Sequence, residues 1–375
     1  MIKTVLSVCD GMSCGRIALE KLGIHPVKYY ASEIDKYAIQ ITQKNYPDTI
    51  QLGDINNYGM WELTPEFSWD NIDLLIGGTP CQDLSIAKQN RKGLEGSRSG
   101  LFWRYVEIFE KAKPKYFLLE NVASMKDSER DIISNILGVE PVMINSALVS
   151  AQQRKRYYWT NIPCLSQPED RGLVLADIVE YDNTAGEDYS NQWSFNGVRD
   201  LNSKAKCMSV AMYKGKRAVG MTSVAIPCAM RTWPRKPVPG VKRTKRIELK
   251  QDGKANSLTS VQTDSMVLFD RPDRIGTIGG NSQANRVYSV YGKSVTLSAN
   301  GGGQGGQTGL YKVNIPDGDY VIRKLTPIEC ERLQTVPEGY TEGVSNTQRY
   351  KMLGNGWTVD VIKHIFAGIL MEDLI

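Results

Sequence analysis

The run Ile72-Asp73-Leu74-Leu75-Ile76-Gly77-Gly78-Thr79-Pro80-Cys81-Gln82 decides the fold. Its first half is a short apolar segment that ends in two glycines, the pattern of a buried strand in a parallel sheet. In open α/β sheets, ligands and chemistry collect at the carboxyl ends of strands. Cys81 then stands on a turn whose shape glycine and proline constrain. A nucleophilic thiol needs a readily lost proton, which a loop near a helix N-terminus can favour. Most lone cysteines are inert and buried, so the surrounding chain has to decide the case.

Residues 1 to about 160 alternate apolar strand patterns with helical ones. Strands are expected at Thr4–Val8, Val27–Ser32, Ile50–Leu52, Ile72–Ile76, Tyr116–Leu119, Val142–Asn145 and Arg156–Thr160. Helices are expected over Arg16–Leu22, Tyr37–Asn45, Leu101–Ala112 and Asp131–Leu137. Such alternation predicts an α/β fold with a doubly wound, mostly parallel sheet. The composition changes from about Cys164, becoming rich in Gly, Ser, Asn, Lys and Arg with short β-branched runs such as Ser294-Val295-Thr296-Leu297. A smaller domain of strands and long loops is expected there. Near Tyr320 the pattern turns helical again. Thr326, Pro327 and Glu329 form a capping box ahead of Ile328–Leu333, and Trp357–Ile369 reads as a final amphipathic helix. The expected division is 1–162, 163–320 and 321–375, with the last part returning to the first.

With 41% hydrophobic and 23% charged residues, the 375-residue chain is ordinary for a globular protein. No stretch approaches the ~20 apolar residues of a membrane helix. The N-terminus runs into a strand pattern without the features of a signal peptide, so a cytoplasmic protein is expected. The seven cysteines are scattered, with no C-x-x-C pair, and there are only two histidines. No metal site is expected, and acid–base work falls to carboxylates and arginines. The net charge is +5, yet residues 171–320 alone carry 21 Lys and Arg against 13 Asp and Glu. That local excess suits a polyanionic partner, and equally a solvated surface.

Several strand ends carry functional types. Asp10-Gly11-Met12-Ser13-Cys14-Gly15 follows the first strand, where glycine admits a ligand close to the backbone. Glu33-Ile34 follows the second strand and Gly53-Asp54-Ile55 the third. An acid in the first of these positions can hold ribose hydroxyls, and the second acid can accept from an adenine amino group. Singly each is a common turn or cap residue; together they suggest an adenosine-containing cofactor. Glu120-Asn121-Val122 ends the fifth strand, and a glutamate there is costly unless paired or functional. Gln152-Gln153-Arg154-Lys155-Arg156 places two arginines at alternating positions, on one side of an entering strand.

Taken in order, these motifs resemble the cytosine-5 DNA methyltransferase family. The resemblance runs over about residues 1–162 and 320–372. It includes Arg323-x-Leu325-Thr326-Pro327, Arg332-Leu333-Gln334 and the late Gly354-Asn355. It implies S-adenosylmethionine as cofactor, with S-adenosylhomocysteine as product. The implied cofactor contacts are Asp10, Gly11, Met12, Cys14 and Gly15 on the first turn, and Glu33, Ile34, Asp54 and Ile55 on the next two. Pro80, Leu101, Asn355 and Trp357 complete that set. It implies Cys81 as nucleophile on carbon 6 of a flipped-out cytosine, Glu120 at ring nitrogen 3 and the amino group, Arg156 at the ring carbonyl and Arg154 in support. Double-stranded DNA is the implied partner, with Ser85, Lys88 and Arg91 in the loop after Cys81 and Arg231, Arg235, Lys236 and Arg243 in the basic segment as DNA contacts. A monomer is implied, alongside a restriction endonuclease that acts independently.

There are departures. Cys9 replaces the usual aromatic of the first motif, and Gly354-Asn355-Gly356-Trp357 is similar to the eukaryotic de novo branch. An RNA cytosine methyltransferase is the nearest alternative, but its Cys-Phe-Thr signature is missing. A catalytically inactive DNA-binding relative is a second, opposed by the presence of Cys81, Glu120 and Arg156. A nicotinamide oxidoreductase should carry the full G-x-G-x-x-G pattern, which this chain lacks.

Overall fold

The computed structural model describes residues 2–79, 100–163, 166–180, 193–194, 225–233, 244–249, 266–269, 274–278, 285–290, 292–297, 310–314 and 320–372. The first half runs β1 (Thr4–Val8), α1 (Cys14–Glu20), β2 (Lys28–Ser32), α2 (Lys36–Asn45), β3 (Ile50–Gln51), β4 (Leu74–Gly77), α3 (Leu101–Ala112), β5 (Tyr116–Val122), α4 (Asp127–Leu137), β6 (Val142–Asn145) and β7 (Lys155–Thr160). These strands form one seven-stranded sheet in the order β3-β2-β1-β4-β5-β7-β6. The pairs from β3 through β5 are parallel, while β7 runs antiparallel to both β5 and β6.

Alternation across the pleat explains the apolar runs. Val5, Leu74, Ile76 and Leu118 belong to one buried layer, with α1 and the C-terminal helices. Leu6, Val8, Leu75, Phe117 and Leu119 belong to the opposite layer, with α3 and α4. Both faces are covered at the centre of the sheet, so Leu74-Leu75-Ile76 and Phe117-Leu118-Leu119 are apolar throughout. This is the doubly wound α/β arrangement expected from the sequence.

Some helices differ from expectation. α1 begins at Cys14 because Ser13 takes a left-handed conformation (φ 62°) and turns the chain sooner. α4 begins a turn early, where Glu129 accepts from the Lys126 N–H. A 3-10 helix over Ile55–Leu63 was not expected, since Gly59 interrupts its pattern.

The remaining strands are β8 (Trp193–Ser194), β9 (Ala225–Trp233), β10 (Thr244–Leu249), β11 (Met266–Phe269), β12 (Arg274–Ile278), β13 (Arg286–Ser289), β14 (Leu310–Asn314) and β15 (Tyr320–Lys324). They make a three-stranded sheet, β10-β9-β11, and a five-stranded one, β15-β14-β13-β12-β8. Residues 292–297 do not extend either sheet. Ser294 forms a parallel bridge with Gln152, its N–H donating to the Ala151 carbonyl at 2.8 Å. The buried Lys293 ammonium donates to the carbonyls of Ala147 and Leu173.

The chain closes with α5 (Pro327–Leu333), α6 (Asn346–Asn355) and α7 (Val359–Glu372). The Thr326/Glu329 capping box is present as expected. α6 was not expected, because only Met352, Leu353 and Gly354 of its ten residues are buried and its periodicity is faint. α7 starts after Trp357, not at it. Gly356 is extended, and the Thr358 hydroxyl bonds to Gln334 and Ser146. Among the described residues no helix is long and apolar enough to cross a membrane, and no group of three His, Cys, Asp or Glu could hold a metal.

Candidate active site

Strand register brings the candidate residues to one rim. Val8 lies opposite Ser32 on one side and Gly77 on the other, and Gly77 lies opposite Leu119. The segments at Cys9, Glu33 and Gly78, which leave the sheet, and the last residues of β5 from Glu120 to Val122, still paired with β7, therefore lie side by side. Asn121 fastens two of them, its side-chain amide donating to the Thr79 carbonyl (3.4 Å) and hydroxyl (3.3 Å). The sequence assigns Asn121 no role, because nothing in it reveals a partner on the neighbouring strand.

The Glu33 carboxylate joins the first two turns. One oxygen accepts from the Gly11 N–H at 2.7 Å; the other accepts from Ile34 and Asp35 at 2.7 and 2.8 Å. Gly11 has φ 61° and Gly53 φ 75°, and a Cβ on either would meet nothing within 4 Å. Among the described residues, nothing fills the space a side chain at either position would take. Ile34 stands 73% exposed beside them, an apolar side chain with no cover. Asp54 caps the following 3-10 helix through the Asn56 N–H at 2.9 Å, and Ile55 and Met12 are buried. Leu101 is half-buried at the start of α3.

The Asp10 carboxylate accepts from the hydroxyls of Ser13 and Tyr29. Burial raises its pKa to about 6, the hydroxyl bonds from Ser13, Ser7 and Tyr29 oppose the rise, and the Glu33 charge adds to it. Burial also pushes the Cys9 and Cys14 thiols up to about 12, with help at Cys9 from Glu33, Asp54 and Asp10. A thiol raised in this way carries little thiolate near neutral pH and makes a poor nucleophile.

Glu120 is buried at the end of β5 and its carboxylate is gripped from two sides. Oε1 pairs with Arg156 Nε at 2.8 Å, and Oε2 accepts from Trp357 Nε1 at 3.1 Å. Arg154 is also buried but points elsewhere. Its guanidinium donates to the carbonyls of Gly356 (2.9 Å), Gly354 (3.3 Å) and Leu297 (3.5 Å). It fastens the turn between α6 and α7, where Asn355 is exposed and Trp357 half-buried. Gln334 supports the same turn through the carbonyls of Leu353 and Gly356.

Pro80 and Cys81 lie outside the described residues, as do Ser85, Lys88, Arg91, Arg235, Lys236 and Arg243. Arg231 is in β9, where it lies opposite Arg246 of β10.

A family model described as C-5 cytosine-specific DNA methylase matches residues 3–371. The chain belongs to this family. Among its relatives is the type II methyltransferase M.HhaI of Haemophilus parahaemolyticus, 26% identical over 369 residues that cover 96% of this chain and 91% of that protein. The orphan methyltransferase M.SPRI of Bacillus phage SPR is 25% identical over 456 residues, covering 98% and 97%. The Entamoeba histolytica methyltransferase EhMeth shares the fold, with a TM-score of 0.58 at 13% identity over 100% of this chain and 99% of that one. For a C-5 cytosine methylase, the open turns at Gly11 and Gly53, the two acids and the bare Ile34 suit an adenosine group. A planar purine needs an apolar surface and a ribose needs acceptors.

Proposed function

We propose that this methylase transfers a methyl group from S-adenosylmethionine to carbon 5 of cytosine within a specific double-stranded DNA sequence. The observation that carries the reading is the Arg156–Glu120–Trp357 constellation at the rim where Thr79 is held by Asn121. Cys81 is two residues beyond Thr79, and two residues span at most about 7 Å.

Carbon 5 of cytosine is a poor nucleophile while the ring is aromatic. Addition of the Cys81 thiolate to carbon 6 breaks that aromaticity and places electron density on carbon 5. Glu120 contacts ring nitrogen 3 and the amino group, stabilising the altered ring, and Arg156 holds the ring carbonyl. S-adenosylmethionine, when bound, supplies an electrophilic methyl group. Gly11, Glu33, Ile34 and Asp54 would hold its adenosine part, with Asp10, Met12, Cys14, Gly15, Ile55, Pro80, Leu101, Asn355 and Trp357 around it. Loss of the carbon-5 proton and of the thiolate restores the ring. Arg154 serves by holding the Gly354–Gly356 turn.

Within a duplex the target carbon is unreachable, so the base must be flipped out. Residues 82–99 would close on it with Ser85, Lys88 and Arg91. The segment 163–320 would act as the recognition domain, with Arg231, Arg235, Lys236 and Arg243 at the phosphates. The setting is the cytoplasm of a prokaryotic or phage-infected cell, as a monomer, with any restriction endonuclease acting apart from it.

The test is covalent trapping on a duplex that contains 5-fluorocytosine, with cofactor present. The wild type is expected to form an adduct stable to denaturation. Absence of an adduct would refute the enzymatic reading, and an adduct that persists in Cys81→Ala would refute the nucleophile.

A further inference from the structure

We infer that Trp357 is a positioning residue for Glu120, and that the indole which would wall the cofactor pocket also sets the carboxyl that meets the base. The inference rests on the methyltransferase reading above. Each oxygen of Glu120 has its own donor, Arg156 Nε at 2.8 Å on Oε1 and Trp357 Nε1 at 3.1 Å on Oε2. One donor leaves a carboxyl free to turn about its terminal bond, and two donors on different oxygens fix its plane. The orientation matters because ring nitrogen 3 and the amino group of cytosine lie in one plane.

The indole is seated by design of its neighbours. A Cβ on Gly78 would come within 2.8 Å of Trp357 Nε1 and 3.2 Å of Cε2 and Cζ2. A Cβ on Gly15 would lie 3.6 Å from Cζ3. Gly78 leaves β4 on the way to Cys81 and Gly15 lies in the first turn of α1 beside the cofactor turn, so the ring lies between the two halves of the site. Its backbone is pinned on both sides. Arg154 and Gln334 hold the Gly356 carbonyl, and Gln334 and Ser146 hold the Thr358 hydroxyl. A ring that merely filled space would need neither the N–H bond nor a glycine facing that nitrogen.

The discriminating variant is Trp357→Phe, which keeps an aromatic ring and removes the donor. Single-turnover methyl transfer to DNA is measured at saturating cofactor, alongside the cofactor dissociation constant. The expected result is a rate lowered about tenfold, the scale of a lost hydrogen bond to a charged group, with cofactor affinity within about threefold. Gly78→Ala, which displaces the indole while keeping it, should lower the rate in the same way. In a Glu120→Gln background, Trp357→Phe should change the rate by less than about twofold, since residues acting through one another are non-additive.

A Trp357→Phe enzyme with the wild-type rate would overturn the inference, as would a full tenfold effect that persists in the Glu120→Gln background. An affinity loss with an unchanged saturated rate would also overturn it, leaving Trp357 as a cofactor wall alone. A wild type that transfers no methyl group at all would sink the methyltransferase reading, and this inference with it.

Discussion

Arg154→Met separates support of the site from chemistry within it. Methionine keeps much of the aliphatic stem and deletes the guanidinium. Three carbonyls then lose a donor, at 2.9, 3.3 and 3.5 Å. The longest sits at the limit of a hydrogen bond and contributes little. Gly356 keeps Gln334 as a donor, whereas the Gly354 carbonyl loses the bond it accepts from Arg154. Hydrogen bonds from a charged donor contribute roughly 1.5–3 kcal/mol each. Removing a buried charge also recovers part of its desolvation cost. The expected net loss is therefore about 2 kcal/mol. With a urea slope of roughly 2–3 kcal/mol/M, the unfolding midpoint falls by about 0.7–1 M. Methyl transfer, assayed well below that midpoint, should show weaker cofactor binding as the turn that carries Trp357 loosens. An unchanged midpoint with abolished turnover would refute the reasoning, because it would put Arg154 on the substrate and not on the turn.

Gly368→Ala in α7 places a methyl group over the Pro163 carbonyl oxygen and within 2.9 Å of Ile162 Cγ2. Backbone yields poorly, so a loss of roughly 2–3 kcal/mol is expected, and a Tm within a degree of wild type would contradict it. Iodoacetamide at pH 8 should leave Cys9, Cys14 and Cys330 unlabelled, since burial raises all three thiols; mass mapping that finds them labelled as fast as Cys81 would contradict the assignment. Asp10 is raised from the ordinary 3.8 to about 6, so the folded state holds its proton more tightly and stability is lost as pH rises through that window. Because part of the residue reaches solvent, the loss should be about 1–2 kcal/mol, and Asp10→Asn should remove the slope between pH 4 and 6. An unaltered slope in that variant would show that another group titrates.

The sheet was legible because its physics is local. Strands buried on both faces must be apolar throughout, and Leu74, Leu75 and Ile76 each fall into a covered layer. The acids at the strand ends were legible for the converse reason: a carboxylate there demands partners, and Glu33 and Glu120 both have them. What escaped reading was tertiary. α6 carries almost no apolar stripe and is held by its surroundings. Ser294-Val295-Thr296-Leu297 has the composition of a strand in the basic segment, yet it docks on Gln152 instead. The Gln334 contacts to the Leu353 and Gly356 carbonyls join residues about twenty apart with no periodic signal.

The bond between Trp357 and Glu120 spans 237 residues, and that separation bears on how far the chain between them can vary. Glu120 and Arg156 come from the sheet before the basic segment, and Trp357 from the turn after it. The entropic cost of joining two such points rises only with the logarithm of the intervening length, about 0.6 kcal/mol per doubling. Length between them is therefore nearly free, whereas position at each end is not. Each end is accordingly tied down on its own side, Glu120 by its strand pairing opposite Tyr158 and Trp357 by Arg154 and Gln334 at Gly356. Residues 292–297, pinned to the Ala151–Gln153 backbone, fasten the returning chain before it reaches the last helices. A segment inserted between two such anchors can change its sequence and size without altering the geometry of the Glu120 carboxyl.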